Sequence, residues 1–235
     1  MSDPDGAAPP SPFALPQVSV EHRPDGSIRL KSPVPLQPHS RCVGDWLEQW
    51  AQATPGQVFL AERSSTDAPW TKVTYADARR SVRAAAAWLL DHHLSVERPL
   101  VILSDNSIDH ALLALAAQHV GVPVAAISPA YSLMAKDFSK LRGMIALLDP
   151  GAIFAANSTA FANALAAIAP HHSATVVSSD GGNDTLAFRD ILATPETPVV
   201  SEAFAAIGPD PVARFLFTPG RPGATKAVIN PQRML

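Results

Sequence analysis

The sequence predicts an α/β fold, a parallel sheet with helices on both faces, and three observations carry that expectation. Short apolar runs without alternation recur at residues 100–103, 122–127, 152–155 and 175–177, as expected of strands covered on both faces. Segments of helical periodicity separate these runs, so strand and helix take turns. Parallel neighbours require a crossover connection, and such crossovers are almost always right-handed.

The elements follow in order. The first 40 residues hold nine prolines, which delete backbone donors and fix φ, so residues 1–40 read as an extended N-terminal arm. Within it a turn at 23–27 separates 18–20 from 28–30, a hairpin pattern. Residues 41–235 form the second region. Val43, Trp46, Leu47 and Trp50 stand three and four apart, which predicts a short helix with those four on its inner face. Residues 58–60 and 70–73 are strand candidates around a polar turn at 64–67. Thr74 with Asp77 signals the start of an alanine-rich helix running to about His93. The run 100–103 is placed at the sheet centre. A helix over 107–120 closed by Gly121 follows, with Asp105, Asn106 and Ser107 as its capping turn. Further helices are expected over 132–148 and 159–168, a helical turn at 187–192, a proline-punctuated surface connection over 195–209 and a strand at 212–217.

Composition excludes several function classes. With 235 residues, 47% of them hydrophobic and 17% charged, the chain can bury a sizeable core. A net charge of -3 provides no broad attraction for nucleic acid. The densest basic group, Arg79, Arg80 and Arg83, reads as a solvated helix face. The apolar stretch 111–127 contains Gln118, His119 and Pro123 and falls short of the roughly 20 residues that cross a bilayer. With one cysteine, Cys42, and Asp3, Pro4 and Asp5 where a signal peptide carries positive charge, a cytoplasmic location is expected. The pairs His92–His93 and His171–His172 read as surface or helix-end residues, since adjacent side chains diverge and no metal-ligand spacing recurs. No catalytic residue, metal ligand or oligomeric state is assigned.

The segment 217–228 combines glycines, hydroxyls and a lysine between two apolar runs. Glycine permits close approach of backbone to an anion, amides and hydroxyls donate, and the ammonium supplies compact charge. By composition alone the alternative is a Gly/Pro turn joining two strands. The spacing fits neither G-x-x-x-x-G-K-[ST] nor G-x-G-x-x-G, so a P-loop NTPase or a dinucleotide-binding fold is not indicated.

This segment resembles the phosphate-binding signature of the AMP-forming acyl-CoA synthetases, roughly Thr-Ser-Gly-Ser-Thr-Gly-x-Pro-Lys. Thr218, Gly220, Gly223 and Lys226 fall on corresponding positions. The stretches 41–47, 104–107, 110–113, 122–124, 128–133 and 227–235 look like the feruloyl-CoA synthetase branch of that family, so the resemblance extends over nearly the whole chain. It implies ATP, Mg2+ and CoA as cofactors and a small-molecule carboxylate of hydroxycinnamate type as substrate, with neither nucleic acid nor membrane as partner. The carboxylate attacks the α-phosphate of ATP, pyrophosphate leaves, and the CoA thiol then displaces AMP. Carried over by position, Thr218 and Thr225 are hydroxyl donors, Gly220 and Gly223 allow close approach, and Lys226 is the cation, Thr225 standing where the family usually has proline. The family's adenine, magnesium and ribose elements and its mobile C-terminal domain follow the loop. The expectation is therefore an N-terminal portion of such a ligase, with 41–235 a partial adenylation domain that is inactive alone. The alternative is a non-catalytic module binding a nucleotide or an aromatic acid.

Pro219, Arg221 and Pro222 stand where that family has Ser, Ser and Thr. Three hydroxyls and two amides are thereby lost as donors. At roughly 1.5–3 kcal/mol per hydrogen bond to a charged group, two unreplaced donors weaken phosphate binding about a hundredfold or more.

Overall fold

A computed structural model describes residues 17–35, 39–217 and 226–235. The chain divides into two units, Met1–His39 and Ser40–Leu235. In the first, β1 (Ser19–His22) and β2 (Ile28–Lys31) form an antiparallel hairpin. Gly26 takes φ +82° in its turn, a conformation costly for residues with a Cβ, and Asp25 accepts hydrogen bonds from the Ser27 amide and hydroxyl. The anticipated hairpin is present; residues 1–16 and 36–38 of the expected arm lie outside the described residues.

The second unit opens with α1 (Val43–Ala53). The antiparallel pair β3 (Val58–Glu62) and β4 (Thr71–Thr74) follows, then α2 (Tyr75–Asp91), whose first turn is capped by the Thr74 hydroxyl accepting from the Asp77 amide. Strand β5 (Leu100–Leu103) leads through the Ser107 cap into α3 (Ile108–His119), and Gly121 at φ +75° turns the chain towards β6 (Val124–Ile127). Next come α4 (Ser139–Leu148), β7 (Ala152–Ala155), α5 (Ala162–Ile168), β8 (Thr175–Ser178), the two-residue β9 (Leu186–Ala187) and the short α6 (Phe188–Ile191). The described chain closes with α7 (Pro198–Ala206), β10 (Val212–Phe217) and β11 (Ala227–Pro231).

Seven strands form one sheet in the order β11-β10-β6-β5-β7-β8-β9. β5 occupies the middle, as its unbroken apolar run requires. All neighbours are parallel except β10 and β11, which pair antiparallel from Val212↔Pro231 to Phe217↔Ala227. Alternate side chains of the central strands feed two cores. Leu100, Ile102 and Phe154 pack with residues of α2, α3, α6 and α7, whereas Val101, Leu103 and Ile153 pack with Leu141 and Ile145 of α4 and Ala164 and Ile168 of α5. The α/β class with helices on both faces is therefore the observed architecture.

Four local expectations change. Residues 195–209 include a helix, α7, with Pro198 in its first turn, where a missing N–H costs nothing, and Val200 is fully buried beneath it. Helix α4 begins at Ser139 rather than 132 because Asp137 accepts from the Ser139 amide and hydroxyl, ending the preceding turn locally. Asn157 likewise accepts from the Thr159 and Ala160 amides, so α5 starts only at Ala162. Helix α1 is rolled about its axis. It buries Gly44, Leu47 and Ala51 while Trp46 and Trp50 remain 49% and 39% exposed. A Cβ at Gly44 would stand 2.6 Å from the Phe204 ring and 3.0 Å from His119 Nδ1. The bare glycine thus lets α1 sit against α3 and α7 on a face the apolar spacing does not mark.

Candidate functional site

The parallel strands all direct their carboxyl ends to one edge of the sheet, the edge at which α/β folds hold ligands. Strand β10 joins this set through its parallel pairing with β6 at Arg214↔Val124. Phe217 lies three residues beyond Arg214 and Ile127 three beyond Val124, so the two strands end level. Ile127 and Phe217 therefore end their strands at the same edge of the sheet. Phe215 and Phe217 point towards the α4–α5 core, where Tyr131 and Phe138 also pack.

Of the five candidate phosphate-binding residues, Thr218, Gly220, Gly223 and Thr225 lie outside the described residues, as do Pro219, Arg221 and Pro222. Lys226 is described. It is exposed, immediately before Ala227, which pairs with Phe217. Both ends of the loop are consequently held at adjacent positions of an antiparallel pair, and Lys226 stands at the carboxyl edge. An ammonium at that place has the compact charge and three donors that suit phosphate oxygens.

The neighbouring turns at this edge are tied down by their own hydrogen bonds. Ser107 caps α3 by accepting from the His110 amide, as the sequence suggested. The turns after β7 and β8 are joined through Asp180, which accepts from the Ser178 hydroxyl at 2.7 Å, the Ser158 amide at 3.0 Å and hydroxyl at 3.1 Å, and the Asn157 amide group at 3.1 Å. These donors, Ser178 first, pull the Asp180 carboxyl down to about 2. Asp109, by contrast, is pushed up by burial, with the nearby Glu62 charge adding and a Ser179 hydrogen bond opposing.

The basic group on α2 is a solvated face at Arg80, which is exposed, but not at Arg83. Arg83 is buried, and its guanidinium donates to Glu196 at 2.6 Å, to Glu48 at 3.1 Å and to the Ser201 hydroxyl. Arg79 donates to the other Glu48 oxygen at 2.7 Å. His119 lies 3.5 Å from Arg83 through Nε2. Its ring stacks on Phe204 with centroids 4.0 Å apart, and its Nδ1 is buried without a partner among the described residues. Burial above all, with Arg83 and Arg79 adding and Glu48 and Glu196 opposing, lowers its pKa to about 4. Arg41 closes the junction by donating to the Phe204, Ala205 and Ile207 carbonyls at the end of α7, where a cation is favoured. Sequence reasoning missed this cluster because Glu196 and Ser201 lie more than 110 residues from Arg83. The one local signal, Arg79 and Arg83 on the same helical face, does not reveal what that face meets.

Of the histidine pairs, His92, His93 and His171 are exposed, as expected, whereas His172 is half-buried and its Nε2 is buried without a partner among the described residues. His92 is exposed and stacks on Trp88 at a centroid distance of 3.9 Å, and His171 is exposed in a 3-10 turn. No group of three or more metal-ligating side chains occurs among the described residues. No helix among them is long and apolar enough to cross a membrane.

Comparison with solved structures gives the same fold in several enzymes. The chain is similar to acetoacetyl-CoA synthetase from Streptomyces lividans (17% identity, TM-score 0.65, 81% of this chain and 30% of that one). It is also similar to the inhibitor-bound N-terminal domain of FACL13 from Mycobacterium tuberculosis (18%, 0.63, 82% and 45%). A third is the fatty acyl-adenylate ligase from L. pneumophila in complex with acyl adenylate and pyrophosphate (14%, 0.60, 81% and 30%). The chain thus spans less than half the length of each. A search of individual curated proteins gives no match. The sequence profile described as "AMP-binding enzyme" matches residues 47–235, well over half of the chain and inclusive of the loop and Lys226, and the chain belongs to that family.

Proposed function

We propose that this chain carries the phosphate-binding part of an ATP-dependent, AMP-forming carboxylate–CoA ligase. Residues 41–235 would be a portion of its adenylation domain, behind the arm 1–40, in a cytoplasmic protein. The observation that carries the reading is the position of Lys226, exposed at the carboxyl edge of the sheet immediately before Ala227, which pairs with Phe217 of β10. The acyl adenylate and pyrophosphate held by the L. pneumophila ligase of the same fold support this chemistry.

Thr218 and Thr225 donate hydroxyl hydrogen bonds to the β- and γ-phosphates, Gly220 and Gly223 permit close approach, and Lys226 neutralises charge. Their contribution is positioning and electrostatic stabilisation as the substrate carboxylate displaces pyrophosphate from the α-phosphate. Magnesium fits here as an ion carried on the ATP phosphates, a usual mode for that metal, since the described residues supply no carboxylate cluster for it. CoA takes the acyl group in the second half-reaction. The substrate is a carboxylate of hydroxycinnamate type, a reading that rests on the likeness to feruloyl-CoA synthetase.

A second reading is a non-catalytic module that binds the nucleotide or an aromatic acid without turnover. The observation favouring it is the loop's own chemistry, in which Pro219, Arg221 and Pro222 replace hydroxyl donors. On either reading the 235 residues alone give no ferulate-stimulated exchange of pyrophosphate into ATP. Calorimetric titration of Mg·ATP into the parent chain and into Lys226→Ala tests the site. Losing one charge-assisted contact should weaken binding by about 10- to 100-fold with an unchanged melting temperature. Equal affinities would remove Lys226 and the loop from the site, and ferulate-dependent exchange by the isolated chain would reject the claim of inactivity.

A further inference from the structure

A groove of about 510 Å³ runs between β3 and α3, within the roughly 300–1,000 Å³ of small-molecule sites. The roles assigned above do not use it. One wall is formed by Phe59 and Leu60, and the other by the flank of α3 that carries Ala111, Ala114 and Leu115. The two alanines leave open the space that larger side chains would fill.

Polar groups gather at one end, and their hydrogen bonds determine what each still offers. Glu62 Oε2 accepts from the Ile108 amide at 2.8 Å, which leaves Oε1 to accept a further donor. His110 Nδ1 lies 3.2 Å from the Asp105 carbonyl oxygen. A carbonyl only accepts, so Nδ1 carries the proton, and Nε2 is the atom that presents a lone pair whenever the ring is uncharged. Among the described residues, Glu62 is the only carboxylate lining the groove, and no lysine or arginine lines it.

We propose that this groove binds a primary amine on an apolar or aromatic body. The ammonium is held at the Glu62 and His110 end and the carbon skeleton lies between Phe59, Leu60 and the alanine-lined flank of α3. An ammonium has three donors and no acceptor and suits the free Glu62 oxygen, whereas a carboxylate, though it could accept from the Asn106 and Gln118 amides, would meet Glu62 as a like charge. The site is separate from the one proposed for ATP and stands whether or not that reading holds.

Calorimetric titration of the 235-residue chain with 4-phenylbutylamine, 4-phenylbutyrate and 4-phenylbutanol tests it. The amine should bind at least about tenfold more tightly than the acid. Glu62→Gln keeps an acceptor for the Ile108 amide but removes the charge. It should weaken the amine about tenfold while leaving the alcohol within about twofold, a pattern that loss of structure would not give. Ala114→Phe should weaken all three ligands, with an unchanged circular dichroism spectrum. Lys226→Ala should leave amine binding unaltered, so failure at the groove and failure at the loop are read separately. Equal binding of acid and amine, an amine affinity unaffected by Glu62→Gln, or no saturable amine binding would overturn the proposal.

Discussion

The middle of the sheet and its β10–β11 end obey the same strand geometry but live in different surroundings. Every residue of β5 and β7 is buried, with a hydrogen-bonded neighbour on each side and helices above and below. In β11, Val228 and Ile229 are 47% and 58% exposed, and among the described residues no strand lies beside its outer edge. The centre therefore supplies rigidity, while Lys226 and the strand it precedes stand at the less buried end. Local stability follows buried contacts, and segments that bind or move are drawn from the sparsely packed part of a fold.

Substitutions in the two regions should separate accordingly, the centre giving the largest effect. Phe154, fully buried and edge-on to Phe188 at 5.9 Å, should cost about 3–5 kcal/mol as Phe154→Ala, measured by urea unfolding. A loss under about 1 kcal/mol would show that the centre is not the rigid part.

The next effect is a pH dependence on the helix-covered side. The folded-state pKa of His119, about 4, lies below its unfolded value of about 6.5. The unfolded chain therefore takes up the proton first as pH falls. The stabilisation is complete above about pH 6.5 and is lost progressively towards about pH 4, at most about 3 kcal/mol. Carboxylates titrate in part of this range, so the diagnostic is a difference. The His119→Gln stability curve should be flatter than that of the parent by up to about 1.4 kcal/mol per pH unit. Parallel curves would mean that His119 is not a buried neutral base.

Gly44→Ala probes the contact that rolls α1. The added Cβ would meet Phe204 at 2.6 Å, and a cost of about 1–3 kcal/mol is expected in chemical denaturation. A neutral or stabilising result, as helix propensity alone would favour, would show that α7 gives way freely. Ile229→Thr at the exposed end should change stability by no more than about 0.5 kcal/mol. A larger loss would mean that the edge is packed more firmly than its exposure indicates.

Much of the first-order fold was legible because its signals are local. Thr74 and Ser107 cap the helices they precede, Gly121 turns left-handed after α3, and the run from Leu100 to Leu103 lies at the sheet centre. The candidate loop was named from its resemblance to a family signature rather than from spacing, and of its five residues only Lys226 is among those described. What failed depended on distant partners. The Trp46–Trp50 stripe faces outward because Gly44 meets Phe204, and Arg83 is buried because Glu196 reaches it from the start of α7. The amine-sized groove was likewise invisible, as β3 and α3 are separated by more than 40 residues.

By itself, then, the sequence determined the α/β alternation, the helix caps and the family, because each rests on neighbouring residues acting through backbone geometry or fixed spacing. Tertiary structure alone decided which helix faces are buried, the antiparallel return of β11 and the pairing of Arg83 with its two acids. Those outcomes depend on which surfaces meet across long stretches of chain, and a periodic pattern states only that a face must be covered.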